Sequence, residues 1–337
     1  MLRSRHWLSS PGWLLPGCAA FLLAAVPSPA AAPAKQPGAT SSKAHAGADR
    51  RARHRPASHH RASHRRLPPA KVALWRIADS DTQIWLLGTI HALPIGVKWH
   101  SAAIDRAIGS SNELVLETVV DHDPEKTTAL ILSLGSAPNP LPIADRIAPA
   151  KRPALARMIT ETKVPTAAFD RLKTWAAAFL LVGLTVRDAV GVSNVTGVET
   201  ELAERFTARK QPISGLETAA QQLGFFNALS EKEQRRFLED TVDSSKEAKA
   251  DYQMMLRAWL TGNDKAIAKS FDTENEISPV LRDVLVRKRN IIWADWLAKR
   301  LEQPGQLLVA VGAGHLAGPD SVQRKLAAHG IKVTRVQ

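Results

Sequence analysis

One short pattern occurs twice in this chain and nowhere else: a run of apolar residues, a glycine, two residues, a histidine, and then a loop containing proline. The first copy runs from Ile84 to Pro94 (IWLLGTIHALP) and the second from Leu307 to Pro319 (LLVAVGAGHLAGP). Each is followed by a helical pattern and a further apolar strand, so the two ends of the domain read as versions of one strand, loop, helix, strand unit. Short apolar runs closed by glycine suit strands buried in a sheet. Loops at the C-terminal ends of such strands are where α/β proteins place ligands, because the sheet fixes the position while the glycine loop exposes the side chain. The expected fold is therefore α/β (mixed α+β), a central mixed sheet built from the two units with a large helical insertion between them. If the units pack side by side, His91 and His315 emerge on one edge and converge.

The elements between the units follow from periodicity. Val72 to Ile77 and Gln83 to Leu87 read as a hairpin turned at Asp79-Ser-Asp81. Ser101 is a natural N-cap for a helix over 101–109, and Glu113 to Glu117 reads as a strand ending in a carboxylate. From Asp123 to Ser193 the pattern is mostly helical, with amphipathic stretches over Ile143–Thr162 and Thr166–Thr185. Another helix opens near Gly197, with Glu199 in its first turn. Gln211 to Glu217 reads as a short strand running into a glycine turn, leaving Glu217 as either a helix-capping acid or a site acid. Ser230-Glu-Lys-Glu233 is a capping box for a helix over 231–249. Met254 to Leu260, with Met255 and Trp259, reads as core, and Ile277 to Gln303 as a helix. The basic run Arg287-Lys-Arg289 on that last helix is of a kind that ordinarily faces solvent. The final helix and strand are expected over Ser321–Ala328 and Lys332–Val336.

The charge of the chain, +13, is concentrated at its start. Residues 1–71 carry twelve Lys or Arg against one acid, Asp49, which leaves the remainder close to neutral. The folded part therefore gives no reason to expect nucleic-acid binding. Arg3 and Arg5 precede an apolar stretch, Trp13 to Val26, and then small residues, the layout of an export signal over 1–32. The expected location is periplasmic or secreted, with an inner-membrane tether through an uncleaved segment as the alternative; no membrane span is expected in the mature chain. Residues 33–69 lack large apolar side chains and read as a disordered linker. Its arginines, with His54, His59, His60 and His64, make it a solvated spacer or a grip on anionic envelope polymers. The domain proper is expected over 70–337. Cys18, the single cysteine, falls in the signal, which excludes disulfides and thiolate metal sites from the domain.

Leu87-Gly-Thr-Ile-His91, Gly215-Leu-Glu217, Arg289-Asn290 and Val311-Gly-Ala-Gly-His315-Leu-Ala-Gly318 form an ordered set that resembles the TraB/GumN family, itself related to the Tiki metalloproteases. The resemblance covers Ala73 to Val336; the linker is not part of it. It implies a mixed sheet covered by helices and, in the Tiki branch, divalent-metal-dependent peptidase activity, while the GumN name derives from exopolysaccharide gene clusters. The residues fit that chemistry. Two neutral imidazoles with one or two carboxylates suit Zn, Mn, Co or Fe with positions left for water. His91 and His315 are the expected metal ligands, Glu117 or Glu217 a ligand or general base, and Arg289 an oxyanion stabiliser oriented by Asn290. The chain has no H-E-x-x-H, no G-x-S-x-G and no glycine-rich phosphate loop, which argues against zincin, serine hydrolase and NTPase chemistry. Two functions are carried forward: an exported metal-dependent hydrolase acting on a peptide or protein, and a non-catalytic envelope factor that binds peptide or polysaccharide.

Overall fold

The computed structural model describes residues 70–119, 124–190, 197–244, 248–272 and 278–337. The expected signal, Cys18 and the basic linker lie outside the described residues. Six strands, β1 (Leu74–Ala78), β2 (Thr82–Thr89), β3 (Glu113–Thr118), β4 (Ile213–Glu217), β5 (Gly305–Gly312) and β6 (Thr334–Arg335), form one sheet in the order β4-β3-β5-β2-β1-β6. The two repeated units do lie side by side: β2 and β5 are parallel neighbours, with Gly88 opposite Val311 and Thr89 opposite Gly312. β3 pairs with β5, and β4 with β3, also in parallel. β1 and β6 close the far side with antiparallel pairings.

Both faces of the sheet are covered, which explains the unbroken apolar runs. Trp85, Leu87, Leu308 and Ala310 point into one core with Trp99, Phe206 and Trp259. Ile84, Leu86, Leu307, Val309 and Val311 point into the other, with Trp293 and Leu297. A third core sits among helices, where Trp175 stacks on Phe226 at 6.1 Å and Phe179 meets Phe226 edge-on at 5.7 Å. Among the described residues no helix is long and apolar enough to cross a membrane.

Several local expectations change, each for a physical reason. Gly215 is not a turn but lies within β4, opposite Leu116 of β3. The helix expected over 166–185 is two, Thr166–Asp170 and Thr174–Val190. The buried Arg146 guanidinium holds the break by donating to the carbonyls of Asp170 and Leu172. The Ser230 capping box is half formed: Ser230 Oγ accepts the Glu233 N–H, while the Glu233 carboxylate is taken by Ser278. The helix expected over 277–303 is described over Pro279–Arg300, with a π-helical turn at Asp283–Arg287, and the last strand shrinks to Thr334–Arg335. Ser101 does cap the helix Ala102–Ser110, accepting from Ile104 N.

Met254 is also reassigned, from core to surface: it is 62% exposed, whereas Trp259 on the same helix is 1% exposed and donates its indole N–H to the Gly88 carbonyl at 2.8 Å. The phase of the helix decides between them. Trp259→Ala should cost about 3–5 kcal/mol of stability, and Met254→Ala should stay within about 0.5 kcal/mol of wild type. Denaturant melts of the two variants check this; equal losses would show that the phase is wrong.

Candidate functional site

The four parallel strands run in one direction, so their C-terminal ends form a single edge. In sheet order that edge carries Glu217 at the end of β4, Glu117 near the end of β3, the His315 loop after β5 and the His91 loop after β2. The sheet thus gathers residues that are far apart in sequence at the place where α/β proteins bind ligands. All four are buried: His91 at 7% exposure, Glu117 at 5%, Glu217 at 8% and His315 at 2%. The ambiguity over Glu217 is resolved locally. Thr218 and Gln221 form a complete capping box on the helix Ala219–Asn227, so that helix does not need Glu217.

Glu217 instead holds Arg289. Its two oxygens accept from Arg289 Nε at 2.9 and 3.0 Å, Oε2 stands 2.9 Å from Nη2, and Oε1 also accepts the Trp293 indole N–H at 3.0 Å. Arg289 Nη2 also donates to Glu117 Oε2 at 2.8 Å, and Nη1 donates to the Leu285 carbonyl at 3.1 Å and to His315 Nε2 at 3.2 Å. A guanidinium has five N–H groups; here four donate hydrogen bonds, and the remaining Nη2 N–H belongs to the ion pair with Glu217. Arg289 therefore does not present a free donor to a developing oxyanion, as its sequence position suggested. It neutralises two buried carboxylates and fixes a histidine. The π-helical turn just before it accompanies the turning of Arg289 and Asn290 inward, while Arg287 and Lys288 stay exposed.

Asn290 likewise orients His315 rather than Arg289. Its Nδ2 donates to the carbonyls of His315 and Asp320, which leaves Oδ1 to accept from His315 Nδ1 at 2.6 Å. Arginine cannot accept, so His315 Nε2 must be the unprotonated nitrogen and Nδ1 the protonated one. The ring is held in one neutral tautomer. Glu117 completes this half: Oε1 accepts the Gly312 N–H at 2.6 Å and lies 3.7 Å from His315 Nε2, and Oε2 accepts from Gln222.

The other half of the edge is unsaturated. His91 Nε2 has no hydrogen bond. Nδ1 is paired with Oε1 of Glu199 at 2.9 Å, in an ion pair whose angle is poor for a hydrogen bond. Glu199 stands in the first turn of the helix Val198–Ala208, as the sequence indicated, and Oε1 also receives the Thr89 hydroxyl. No local pattern ties this acid to His91, because the acid's helix reaches the edge only through tertiary packing.

Electrostatics divide the two histidines. Burial drives His315 down to about 3, with Glu117 opposing and Arg289 and His91 assisting. For His91 burial acts in the same direction, but Glu199 outweighs it and the net shift is upward. Burial opposes charge on Glu117, yet His315, Arg289, His91 and the Gly312 N–H hold its carboxyl at about 2. Burial raises Glu217 above the usual range, because Glu117 adds to it and Arg289 only partly offsets it.

Residues 73–335 match the model of the TraB/PrgY/gumN family. A protein of Escherichia coli (strain K12) described as uncharacterized protein YbaP is 27% identical over 184 residues, spanning 55% of this chain and 67% of that protein; YbaP of Shigella flexneri matches equally. No solved structure matches the chain.

The depressed values set a direction for acid stability. His315 resists a proton that the unfolded chain takes up near pH 6.5, so its contribution is present above that pH and is lost as pH falls toward 3. Glu117 adds a second loss from about 4.5 toward 2. Each group supplies at most about 1.4 kcal/mol per pH unit, and His91, shifted the other way, offsets part of the first loss. Denaturation at pH 7, 6 and 5 should show falling stability in the wild type and a shallower slope in His315→Gln. An unchanged slope in the variant would remove His315 as the cause.

Proposed function

The chain belongs to the TraB/PrgY/gumN family, and from that premise we propose that it is an exported, metal-dependent hydrolase, a peptidase acting on a peptide or protein. The observation that carries this reading is the convergence of two buried histidines from adjacent parallel strands on one sheet edge beside buried carboxylates. The donor chemistry fits a divalent ion such as Zn, Mn, Co or Fe. His91 is buried with its Nε2 free of any hydrogen bond and its Nδ1 beside Glu199, and His315 is a neutral imidazole whose Nε2 is unprotonated and accepts from Arg289. Among the described residues no three His, Cys, Asp or Glu side chains already surround one point.

His91 and His315 are the residues that would hold the ion. Once bound there, it would lower the pKa of a water molecule and polarise a scissile carbonyl. The remaining work falls to the protein. Asn290 holds His315 in the tautomer that keeps a lone pair on Nε2, and the Arg289 N–H that donates to that lone pair would have to give way to an ion there. Arg289 also holds Glu117 and Glu217 in place and limits their repulsion. Of the two acids, Glu117 has the less engaged oxygen, although a carboxyl held at about 2 is the weaker base of the pair. Its Oε1 accepts only one hydrogen bond and lies near His315, whereas each Glu217 oxygen is engaged by Arg289. Burial of the edge excludes bulk water and strengthens each of these interactions. Export and a periplasmic location belong to the same reading and rest on the charged and apolar pattern of residues 1–32.

A second reading is favoured by the saturation of Arg289 and Glu217: an envelope factor that keeps the fold, performs no chemistry and binds peptide or polysaccharide, aided by its basic linker. Elemental analysis of the purified chain together with a peptide-library cleavage assay separates the two. The hydrolase reading expects about one equivalent of divalent metal and cleavage that chelation abolishes, with at least a hundredfold loss in His91→Ala. A protein that holds no metal, cleaves no peptide and adsorbs to anionic polymers would put the second reading first.

A further inference from the structure

The geometry points to Glu199 as a direct partner of His91 in binding the divalent ion, a role that falls to it rather than to Glu217. This rests on the metal-dependent reading above. Two facts carry it: the pattern of unsatisfied polar atoms and the spacing of one donor pair.

Buried polar atoms almost always find partners, so those that do not mark a missing one. Four such atoms belong to three residues at this edge: Nδ1 and Nε2 of His91, Oε2 of Glu199 and Oγ1 of Thr118. Glu217, by contrast, is engaged on both oxygens by Arg289. An ion taken up by Glu217 would have to displace a buried guanidinium; one taken up by Glu199 displaces nothing from Oε2.

The spacing makes the same choice. His91 Nδ1 and Glu199 Oε1 are 2.9 Å apart, yet they are not aligned as donor and acceptor. The contact sets the Glu199 carboxylate directly beside the imidazole, so that a cation held by His91 would lie within reach of Glu199.

The local backbone is built to hold this pair. The Val198 N–H, at the start of the Glu199 helix, donates to the Ile90 carbonyl at 3.2 Å, joining that helix to the His91 loop. A side chain at Gly197 would stand 2.8 Å from the His91 carbonyl oxygen and 2.9 Å from Glu199 Oε2, so only glycine permits the approach. The Thr89 hydroxyl, from the end of β2, fixes Glu199 Oε1 from the other side. The helix dipole adds to the stability of a carboxylate in this first turn.

The test uses the full chain, stripped of metal by chelation and dialysis and then titrated with Mn²⁺ by calorimetry and with Co²⁺ by visible absorption. Wild type should bind one ion. Glu199→Gln, which keeps the size and the Thr89 contact, should weaken binding by about 10–100-fold and move the Co²⁺ absorption bands. Glu199→Asp should bind with intermediate affinity and a shifted spectrum, and it decides the matter if the glutamine variant fails to fold. Glu201→Gln, on the same helix but directed at Trp99 and His100, should match wild type. If both Glu199 variants bind with wild-type affinity and unchanged spectra, the role of Glu199 is overturned while the metal-dependent reading stands. If wild type binds neither ion, both fall together.

Discussion

A guanidinium buried between two carboxylates organises this molecule. Arg289 draws together the ends of β3 and β4, the His315 loop after β5 and the helix Lys288–Arg300 from which it projects. Buried charges are tolerated only when paired and hydrogen-bonded, and removing one partner of such a group costs about 3–5 kcal/mol. The arrangement is therefore unforgiving at its centre: loss of Arg289 leaves two carboxylates facing each other uncompensated in a dry interior, whereas loss of one acid leaves the other still paired. It is also specific, since a planar fork with five donors satisfies four different acceptor residues and a lysine ammonium could not.

The edge therefore has two unlike halves. On one side Glu217, Arg289, Asn290 and His315 are mutually satisfied, and their geometry is settled before any ligand arrives. On the other, His91 and Glu199 remain without full complements of partners. Preorganisation beside unsatisfied valence is what an active site requires, because rigid groups hold the geometry while incomplete ones take up the substrate or ion. The neutral, fixed tautomer of His315 and the upward-shifted His91 extend this contrast to proton affinity.

Much of this could be read from the sequence, and the failures share a cause. The repeat at Gly88–His91 and Gly312–His315 led to the correct sheet neighbours, because apolar runs closed by glycine constrain both strand type and loop position. The acids at 117 and 217 were legible as strand or turn termini. What escaped was partnership. Nothing in the local pattern distinguishes Arg287 and Lys288, which face solvent, from Arg289, which is buried, since the π-helical turn shifts the phase by an amount that periodicity does not encode. The pairing of Glu199 with His91, and of Asn290 with His315 rather than with Arg289, depends on helices meeting the sheet edge across long stretches of chain. The misplaced glycine turn at 215 has the same origin: β3 recruits that glycine into a strand, overriding its local preference.

The adjacency of β2 and β5 also governs how the molecule comes into being. The contact that aligns the two histidine loops joins segments that are nearly the whole domain apart, as in the bond from the Thr82 hydroxyl to the Gln303 carbonyl across 221 positions. Pairings of that range are slow to form, because loop closure must be completed before they return any stabilisation. β5 is an interior strand of the parallel set and follows the other three in sequence. Until it arrives, β2 and β3 have an empty slot between them, with apolar faces and open backbone groups on both sides. A partly delivered chain thus lacks His315 and has no assembled edge. Assembly of the edge therefore waits on β5 and on the loop that follows it.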